Sequence, residues 1–229
     1  SAAPERTTTW RQKLGPARAY RVALVWAGRP THGNDANRSL ALHHLAALLQ
    51  LEGVEVLSVQ KGEAVEQIKA LTPGCRLRNL SPEIQSFEDT AAILSEVDEL
   101  VTVDTSVAHL AGGLGCQVRV LLPLIPDWRW LLSRADSPWY PTARLYRQTA
   151  RGAWAEPVAA LVALWLRRNM VETESFARSE AAGASSQQEA QGTLRALMQH
   201  PRAVLAVVGL TMGGTLAFYT YTTYVHKFL

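Results

Sequence analysis

The residues best suited to chemistry lie in the segment 99–115, which reads ELVTVDTSVAHLAGGLG. A buried strand is predicted to end just before Asp104, Thr105 and Ser106, and a helix is predicted to begin near Val107. Free backbone N–H groups, two hydroxyls and the positive end of a helix dipole together favour binding of a diphosphate. Asp, Thr and Ser are also common N-caps of helices, so capping alone explains part of this pattern.

His109, Arg38 and Lys61 are further candidates for contact with the same anion. His109 lies one turn into the predicted helix, where its ring could donate to a phosphate oxygen, although a lone histidine is more often structural. Arg38 lies in WAGRPTHGNDANRS after the first strand, and its guanidinium could bind a phosphate in bidentate fashion. Lys61 follows another strand, in SVQKG. The alternatives are an ordinary polar loop for Arg38 and a surface lysine for Lys61.

Asp127, Trp128 and Arg129 form a third group of candidates, in PLIPDWRW after a later strand. They could build a wall on which a base or sugar stacks, or they could cover the open end of a sheet. The sequence has no P-loop, no G-x-G-x-x-G, no clustered metal ligands and no Ser/His/Asp signature. We therefore expect no metal and no bound cofactor.

The elements that must position these residues alternate between apolar runs and amphipathic stretches. Near-continuous Val, Leu and Ile strands separated by helices predict a Rossmann-like parallel sheet with helices on both faces. In such a sheet, ligands bind beyond the carboxyl ends of the strands. The predicted strands are 21–26, 54–59, 76–80, 99–103, 118–122 and 144–146, and the predicted helices are 40–50, 63–71, 88–97, 107–114 and 154–168.

The charge balance excludes one class of function. The chain has 23 Lys and Arg against 20 Asp and Glu, a formal net charge of +3. This is far from the basic stripe of a nucleic-acid-binding protein, and no nucleic-acid motif is present, so no nucleic-acid partner is expected. Two cysteines are too few for a disulfide framework.

The composition changes after about residue 160, which predicts three parts. Residues 1–160 form the α/β domain, 161–199 a helical and polar linker, and 200–229 a hydrophobic helical segment. The run 203–224 holds roughly 22 uncharged residues, or about 33 Å of helix, which matches the hydrocarbon core of a bilayer. We interpret it as a transmembrane helix, with a buried soluble helix as the alternative.

Several motifs in the first part together resemble the carboxy-terminal half of bacterial GT-B glycosyltransferases, in particular heptosyltransferase-like and O-GlcNAc-transferase-like domains that follow tetratricopeptide repeats. The motifs are WAGRPTHGNDANRS, SVQKGE, SFEDTAAILSEVDELVTVDTSVAHLAGGLG and LLPLIPDWRWLLSRADSPWYPTARLYRQ. The resemblance runs from about residue 10 to about residue 158.

The resemblance implies that this half binds a nucleotide-sugar donor. It implies that Asp104, Thr105, Ser106 and His109 bind the diphosphate, that Arg38 and Lys61 face the same cleft, and that no metal is needed. Two departures stand out. The amino-terminal half that supplies the acceptor site is absent, and Gln117 and Arg119 replace an expected proline and an apolar aromatic residue. Arg119 is awkward in a central strand.

The remainder resembles a different family. From about residue 161, ETESF and LTMGGTLAFYTYTTY are similar to the central loop and one transmembrane helix of major facilitator proton symporters of the metabolite/proline–betaine type. The similarity covers one of the twelve spans of such a transporter, and one helix cannot form a midplane substrate site.

These observations favour the donor-binding half of a glycosyltransferase that is inactive by itself. The alternatives are a membrane-tethered nucleoside-diphosphate-binding module and a symporter fragment fused to an α/β passenger domain. We expect a cytoplasmic domain anchored to the inner membrane by its C-terminal helix. We also expect nucleoside diphosphates to stabilise the α/β domain, and substitution of Asp104 and His109 to abolish that effect.

Overall fold

Six parallel strands form the centre of the molecule, in the order β3-β2-β1-β4-β5-β6. The computed structural model describes residues 2–169. The bounds are β1 Tyr20–Val25, β2 Val54–Ser58, β3 Arg78–Asn79, β4 Glu99–Val103, β5 Val118–Leu122 and β6 Ala143–Arg147. Each strand begins within two residues of its predicted start, which confirms the predicted Rossmann-like parallel sheet.

The helices that cover this sheet also follow the predicted order, with local differences. They are α1 Pro4–Leu14, α2 Asp35–Arg38, α3 Ala46–Leu49, α4 Phe87–Leu94, α5 Ser106–Leu114 and α6 Ala155–Asn169, with 3-10 turns at Leu42–Leu45, Glu63–Ala70 and Trp128–Trp130. The stretch predicted as the helix 40–50 is therefore a 3-10 turn followed by a single α-turn. Arg38 ends the short helix α2, before the start of the predicted helix 40–50.

The two faces of the sheet carry separate apolar cores, as expected for strands that are hydrophobic on both sides. One core contains buried residues of α1, α4 and α5, and the other contains buried residues of α3 and α6. The predicted helix 154–168 corresponds to α6, which packs on the sheet with Leu161 and Trp165 fully buried. Helix α6 continues without a break across residue 160, and the first compact unit spans Ser1–Asn169.

The arginine that is awkward in a central strand has a buried partner. Arg119 of β5 forms an ion pair with Glu99 of β4, whose side chain is inaccessible to solvent. Glu99 also accepts hydrogen bonds from Tyr20 Oη (3.2 Å) and from Trp165 Nε1 (3.1 Å). Paired and hydrogen-bonded, this carboxylate meets the condition under which a charge is tolerated inside a protein. Glu99 thereby ties β4 and β5 to helix α6.

A second buried carboxylate, Asp89, joins α1 to α4. It accepts hydrogen bonds from Arg6 Nη1 (2.8 Å) and Trp10 Nε1 (3.1 Å) of α1. It also accepts from the backbone N–H groups of Gln85 and Ser86, and with Ser86 it forms a capping box at the start of α4. Burial raises the pKa of the Asp89 carboxyl, but the hydrogen bonds from Trp10, Gln85, Arg6 and Ser86 outweigh it and hold the pKa well below its usual range.

The strand order creates a crevice between β1 and β4. The chain leaves β1 for β2 on one side and reaches β4 on the other, so the loops at their carboxyl ends diverge. Ligands of open α/β sheets bind at this reversal of strand order. The fold therefore places the loop after β1 and the segment containing Asp104 at the edge where a ligand is expected.

Within residues 2–169, none of the helices has the length and apolar character needed to cross a bilayer. The predicted transmembrane segment 203–224 and most of the predicted linker 161–199 lie outside the described residues.

The depressed pKa of Asp89 predicts a specific loss of stability in acid. Because the folded pKa lies below the usual value, the stabilisation is complete above about pH 5 and is lost as the pH falls through 3.8 towards the folded value. We expect Asp89→Asn to lower the free energy of unfolding at pH 7 by about 2–3 kcal/mol and to flatten its dependence on pH between 5 and 3. Urea unfolding followed by tryptophan fluorescence measures both.

Glu88→Gln is the matched control, because Glu88 is two-thirds exposed and pairs with Arg6 only at the surface. Equal losses for the two variants, or an unchanged pH dependence in Asp89→Asn, would contradict the assigned role of Asp89.

Candidate functional site

A cleft of about 610 Å³ opens at the carboxyl edge of the sheet. Its walls are the loops after β1 and β2, the segment 84–90 that leads into α4, and the first residues of α5. Arg38, Lys61, Thr105 and Ser106, all predicted as site residues, line it together. The cleft therefore lies at the reversal of strand order, where a ligand is expected in this fold.

The floor of the cleft is held by the side chain of Gln60, which is 2% exposed. Its Oε1 accepts hydrogen bonds from the backbone N–H groups of Trp26 (3.0 Å) and Ala27 (2.9 Å). Its Nε2 donates to the backbone carbonyls of Ala27 (2.9 Å) and Lys61 (2.8 Å). One carboxamide thus satisfies four backbone groups and fixes the loop after β1 against the loop after β2.

Arg38 connects the loop after β1 to the start of α5. Its guanidinium donates from Nε to Asp35 Oδ1 (3.1 Å) and from Nη1 to the backbone carbonyl of Asp104 (2.9 Å). The side chain is 13% exposed, so its remaining N–H groups lie at the cleft wall in a partly desolvated position. Gly28 makes room for it, because a Cβ there would lie 2.5 Å from Arg38 Nη2 and from Asp35 Oδ1.

Lys61 is also anchored rather than free at the surface. Its ammonium donates to the backbone carbonyls of Ser81 and Ile84, both at 2.9 Å. These bonds fix the segment before α4 against the loop after β2. A third N–H of the ammonium remains for a ligand, since a lysine has three donors.

Two helix N-termini border the cleft, and they differ. Helix α4 is capped by the Ser86–Asp89 box. The N-cap of α5 is Thr105, whose hydroxyl lies 3.2 Å from Thr102 Oγ1, and no side chain of residues 2–169 caps the α5 backbone. The first N–H groups of an α-helix have no partner within the helix, so those of α5 remain available to an anion.

Asp104 lies just before α5 and His109 is part of it, but neither residue lines this cleft. The Asp104 carboxylate accepts a hydrogen bond from Trp130 Nε1 (2.8 Å), and His109 Nε2 lies 4.0 Å from the same oxygen. The His109 ring stacks on Trp130 with a centroid distance of 5.1 Å, and its Nδ1 lies 3.0 Å from Tyr140 Oη. Tyr140 in turn packs on α5 where Gly112 leaves space, since a Cβ there would lie 2.4 Å from the tyrosine ring.

The electrostatic surroundings leave His109 uncharged at neutral pH. Partial burial lowers its pKa, Asp104 and Asp127 oppose this, and Arg129 adds to the lowering, so the pKa lies below its usual 6.5. A neutral imidazole donates one hydrogen bond but brings no positive charge to a phosphate.

The predicted wall lies in the loop after β5. Asp127 caps the turn Trp128–Trp130 and accepts from Arg129 N and Nε, both at 3.0 Å. Trp128 is 70% exposed, and the Arg129 guanidinium lies 5.5 Å from its ring centroid. None of the three lines the cleft.

Gln60 and Phe87 were not among the residues predicted for this edge, whereas Trp130 and Tyr140 lie in the aromatic-rich segment from which the wall was predicted. Gln60 directly precedes Lys61 at a strand end, and this position in the sequence could have identified it as a site residue. Phe87 follows Ser86, a helix-cap residue, at the start of α4. Trp130 and Tyr140 contact Asp104 and His109 only through the return of a long loop. Within residues 2–169 there is also no group of three or more metal-ligating side chains.

The fold and site define a Rossmann-like domain that matches the GT-B heptosyltransferase fold. The structure of ADP-heptose LPS heptosyltransferase II from E. coli aligns with a TM-score of 0.50 and 19% identity, over 73% of this chain and 53% of that one. Residues 41–118 match the model of glycosyltransferase family 9 (heptosyltransferase). The described domain therefore has the GT-B heptosyltransferase fold and is similar to glycosyltransferase family 9 over residues 41–118.

Two curated proteins match parts of the chain that differ in length. Protein FlbA of Caulobacter vibrioides is 27% identical over 171 residues, which is 72% of this chain and 28% of FlbA. Alpha-ketoglutarate permease of E. coli K12 is 44% identical over 75 residues, which is 31% of this chain and 15% of the permease. The chain thus spans about half of heptosyltransferase II and smaller fractions of the other two.

Gln60 predicts a large stability effect at the cleft. Gln60→Ala leaves four buried backbone groups without partners, so we expect the free energy of unfolding to fall by about 3 kcal/mol. Gln60→Glu keeps the shape but cannot donate to the carbonyls of Ala27 and Lys61, so it should also destabilise. All seven tryptophans lie within residues 1–169, and their fluorescence during urea unfolding reports on this domain.

Gln67→Ala is the control, because Gln67 accepts a single backbone N–H, that of Leu42. Its expected loss is about 1 kcal/mol. A Gln60→Ala variant no less stable than Gln67→Ala would show that the carboxamide does not hold the cleft floor.

Proposed function

We propose that residues 1–160 form the donor-binding half of a glycosyltransferase, and that the cleft binds the nucleoside diphosphate portion of a nucleotide sugar. The observation that carries the proposal is that the Arg38 guanidinium and the uncapped N-terminus of α5 border one cleft at the reversal of strand order. Both favour a diphosphate, and Lys61 adds a second positive charge.

The similarity to glycosyltransferases indicates the chemistry that such binding would serve. When a glycosyl group is transferred, the nucleoside diphosphate departs with developing negative charge. Preorganised N–H groups and cations stabilise that charge without a metal. The name of the E. coli relative, ADP-heptose LPS heptosyltransferase II, makes ADP-sugars the first donors to test.

The acceptor site and the catalytic base are proposed to come from a second half-domain, because the described unit is a single Rossmann-like sheet. Without that half we expect binding of a donor but no transfer. Domain-swapped acceptor halves, a partner subunit or further residues of the same protein could each supply it.

Nucleoside diphosphates are therefore expected to stabilise the protein. With the 229-residue chain in mild detergent, ADP or UDP should raise the midpoint of thermal unfolding, and ligand at 100 times its Kd should add about 2.7 kcal/mol. Arg38→Met should weaken binding about tenfold or more, since it removes charged hydrogen bonds to the phosphate. His109→Phe should have a smaller effect, because His109 does not line the cleft.

Arg18→Met is the matched control. Arg18 is exposed and precedes β1, at the edge of the sheet opposite to the cleft, so its loss should leave binding unchanged. If no nucleoside diphosphate shifts the midpoint in the parent protein, the proposed function is wrong. An equal loss of affinity in Arg18→Met and Arg38→Met would show that the ligand binds through nonspecific charge and not through Arg38.

A membrane-tethered form of this module is the second candidate, favoured by the 44% identity with alpha-ketoglutarate permease. We propose that 203–224 spans the inner membrane and keeps residues 1–199 in the cytoplasm. The α/β domain should then resist protease in right-side-out vesicles and be cleaved in inverted ones. Cleavage in both preparations, or release of the chain by alkaline carbonate, would contradict the tether.

A further inference from the structure

A second, smaller pocket opens at the carboxyl edge of the sheet. It has a volume of about 140 Å³ and lies between the loops that follow β1, β5 and β6. The loop after β1 borders both this pocket and the larger cleft, but the two have no lining residue in common. Arg38 lines the cleft, whereas Asn34 and Asn37 line the pocket. The site proposed for a nucleoside diphosphate therefore does not account for it.

This pocket contains a buried hydrogen-bond donor that has no partner. Gln148 directly follows β6, lines the pocket and is 4% exposed. Its Oε1 accepts hydrogen bonds from the backbone N–H groups of Leu124 (3.3 Å) and Gly152 (3.2 Å). Those two donors fix the orientation of the carboxamide, so the atom left over is the nitrogen. Within residues 2–169, Gln148 Nε2 has no hydrogen-bond partner.

The unpaired N–H groups of Gln148 are held in position by the surrounding backbone. Leaving such a donor buried without a partner costs about 1–3 kcal/mol, and native proteins usually supply an acceptor. The Gln148 backbone N–H donates to the carbonyl of Leu122 (3.0 Å), which continues the sheet ladder to this residue. Because its Oε1 is bound to the backbone of two loops, the carboxamide cannot turn away from the pocket. The structure therefore requires an acceptor for Nε2 from outside the described residues.

A guanidinium lies in the same pocket. Arg151 comes three residues after Gln148, is exposed, and is the one charged residue among those that line the pocket. In the part of the chain that the structure describes, its side chain forms no hydrogen bond or ion pair. In this it differs from Arg38, which is bound to Asp35 and to the carbonyl of Asp104. The pocket thus combines one cation with one neutral donor and no acidic side chain.

These groups match a carboxylate better than a phosphate. A carboxylate carries a single negative charge on two oxygens, and a guanidinium can bind it while an amide N–H donates to the same group. A phosphate monoester carries nearly two negative charges at pH 7, which one arginine does not neutralise. Pro123, Leu124 and Ile125 line the rest of the pocket and offer apolar surface to a short carbon chain.

We propose that this pocket binds the carboxylate of a small organic acid, which accepts hydrogen bonds from Gln148 Nε2 and from the Arg151 guanidinium. This second site is independent of the function proposed for the cleft, because the two share no lining residue. The short carbon chain of the acid lies against Leu124 and Ile125. The ligand supplies the acceptor that the protein itself does not give to Gln148.

The test follows the side-chain amide of Gln148 directly by NMR. The 229-residue chain, labelled with glutamine that carries ¹⁵N in its side chain, is titrated in mild detergent with propionate. Propionamide serves as the neutral probe of the same shape, and inorganic phosphate as the second anion. The resonance of Gln148 Nε2 is the one that is missing in Gln148→Glu. We expect propionate to shift it with saturation, with a Kd on the order of 1 mM for so small a ligand.

Propionamide and phosphate should produce no saturable shift of this resonance below about ten times that concentration. The Gln60 Nε2 resonance is the internal control, because its N–H groups are already bound to the carbonyls of Ala27 and Lys61. It should not move with propionate. A Gln148 resonance that drifts without saturation, or that responds equally to all three probes, would show that the pocket holds only water and would overturn the proposal. Tighter binding of phosphate would overturn the assignment to a carboxylate.

Arg151→Met separates the pocket from general charge. Because Arg151 is exposed and unpaired in the described residues, its loss should leave the midpoint of thermal unfolding unchanged while raising the Kd of propionate about tenfold or more. Arg18→Met removes the same charge at the opposite edge of the sheet and should leave that Kd unchanged. Equal Kd values for the two variants would contradict the site.

Discussion

The four hydrogen bonds of the buried Gln60 carboxamide are the interaction on which the cleft depends. Parallel strands end in backbone groups that have no further ladder partners, and at the floor of a cleft water cannot serve all of them. Gln60 satisfies two N–H groups and two carbonyls at once, so the loops after β1 and β2 hold one shape. An apolar side chain there would fill the space but leave these groups unpaired.

Arg38 and Lys61 extend this arrangement from the floor to the walls. Each donates some of its hydrogen bonds to backbone carbonyls. Arg38 donates to the carbonyl of Asp104, and Lys61 donates to those of Ser81 and Ile84. The two cationic side chains of the site therefore also hold its loops together. A positive charge held by carbonyls on one side offers its remaining donors to a ligand with little loss of rotamer entropy.

Two buried carboxylates, Glu99 and Asp89, connect secondary-structure elements farther from the cleft. Glu99 accepts from Arg119, Tyr20 and Trp165 and joins the sheet to α6. Asp89 joins α1 to α4 while capping α4. Each carboxylate accepts hydrogen bonds from several charged or well-oriented donors, and these bonds offset the cost of burying its charge. Asp89 also determines where the start of α4, and with it Phe87, meets the cleft.

The sequence by itself determined the sheet, its flanking helices and the edge at which the cleft opens. Strand and helix periods are local, and Asp104-Thr105-Ser106 signals a strand end and a helix start whatever surrounds it. Which side chains share the cleft was decided by tertiary structure. Arg38 reaches the carbonyl of Asp104 across 66 residues, whereas the Asp104 carboxylate and His109 turn to Trp130 and Tyr140 instead. Such contacts depend on how distant loops pack at one sheet edge, and a linear pattern carries no record of that packing.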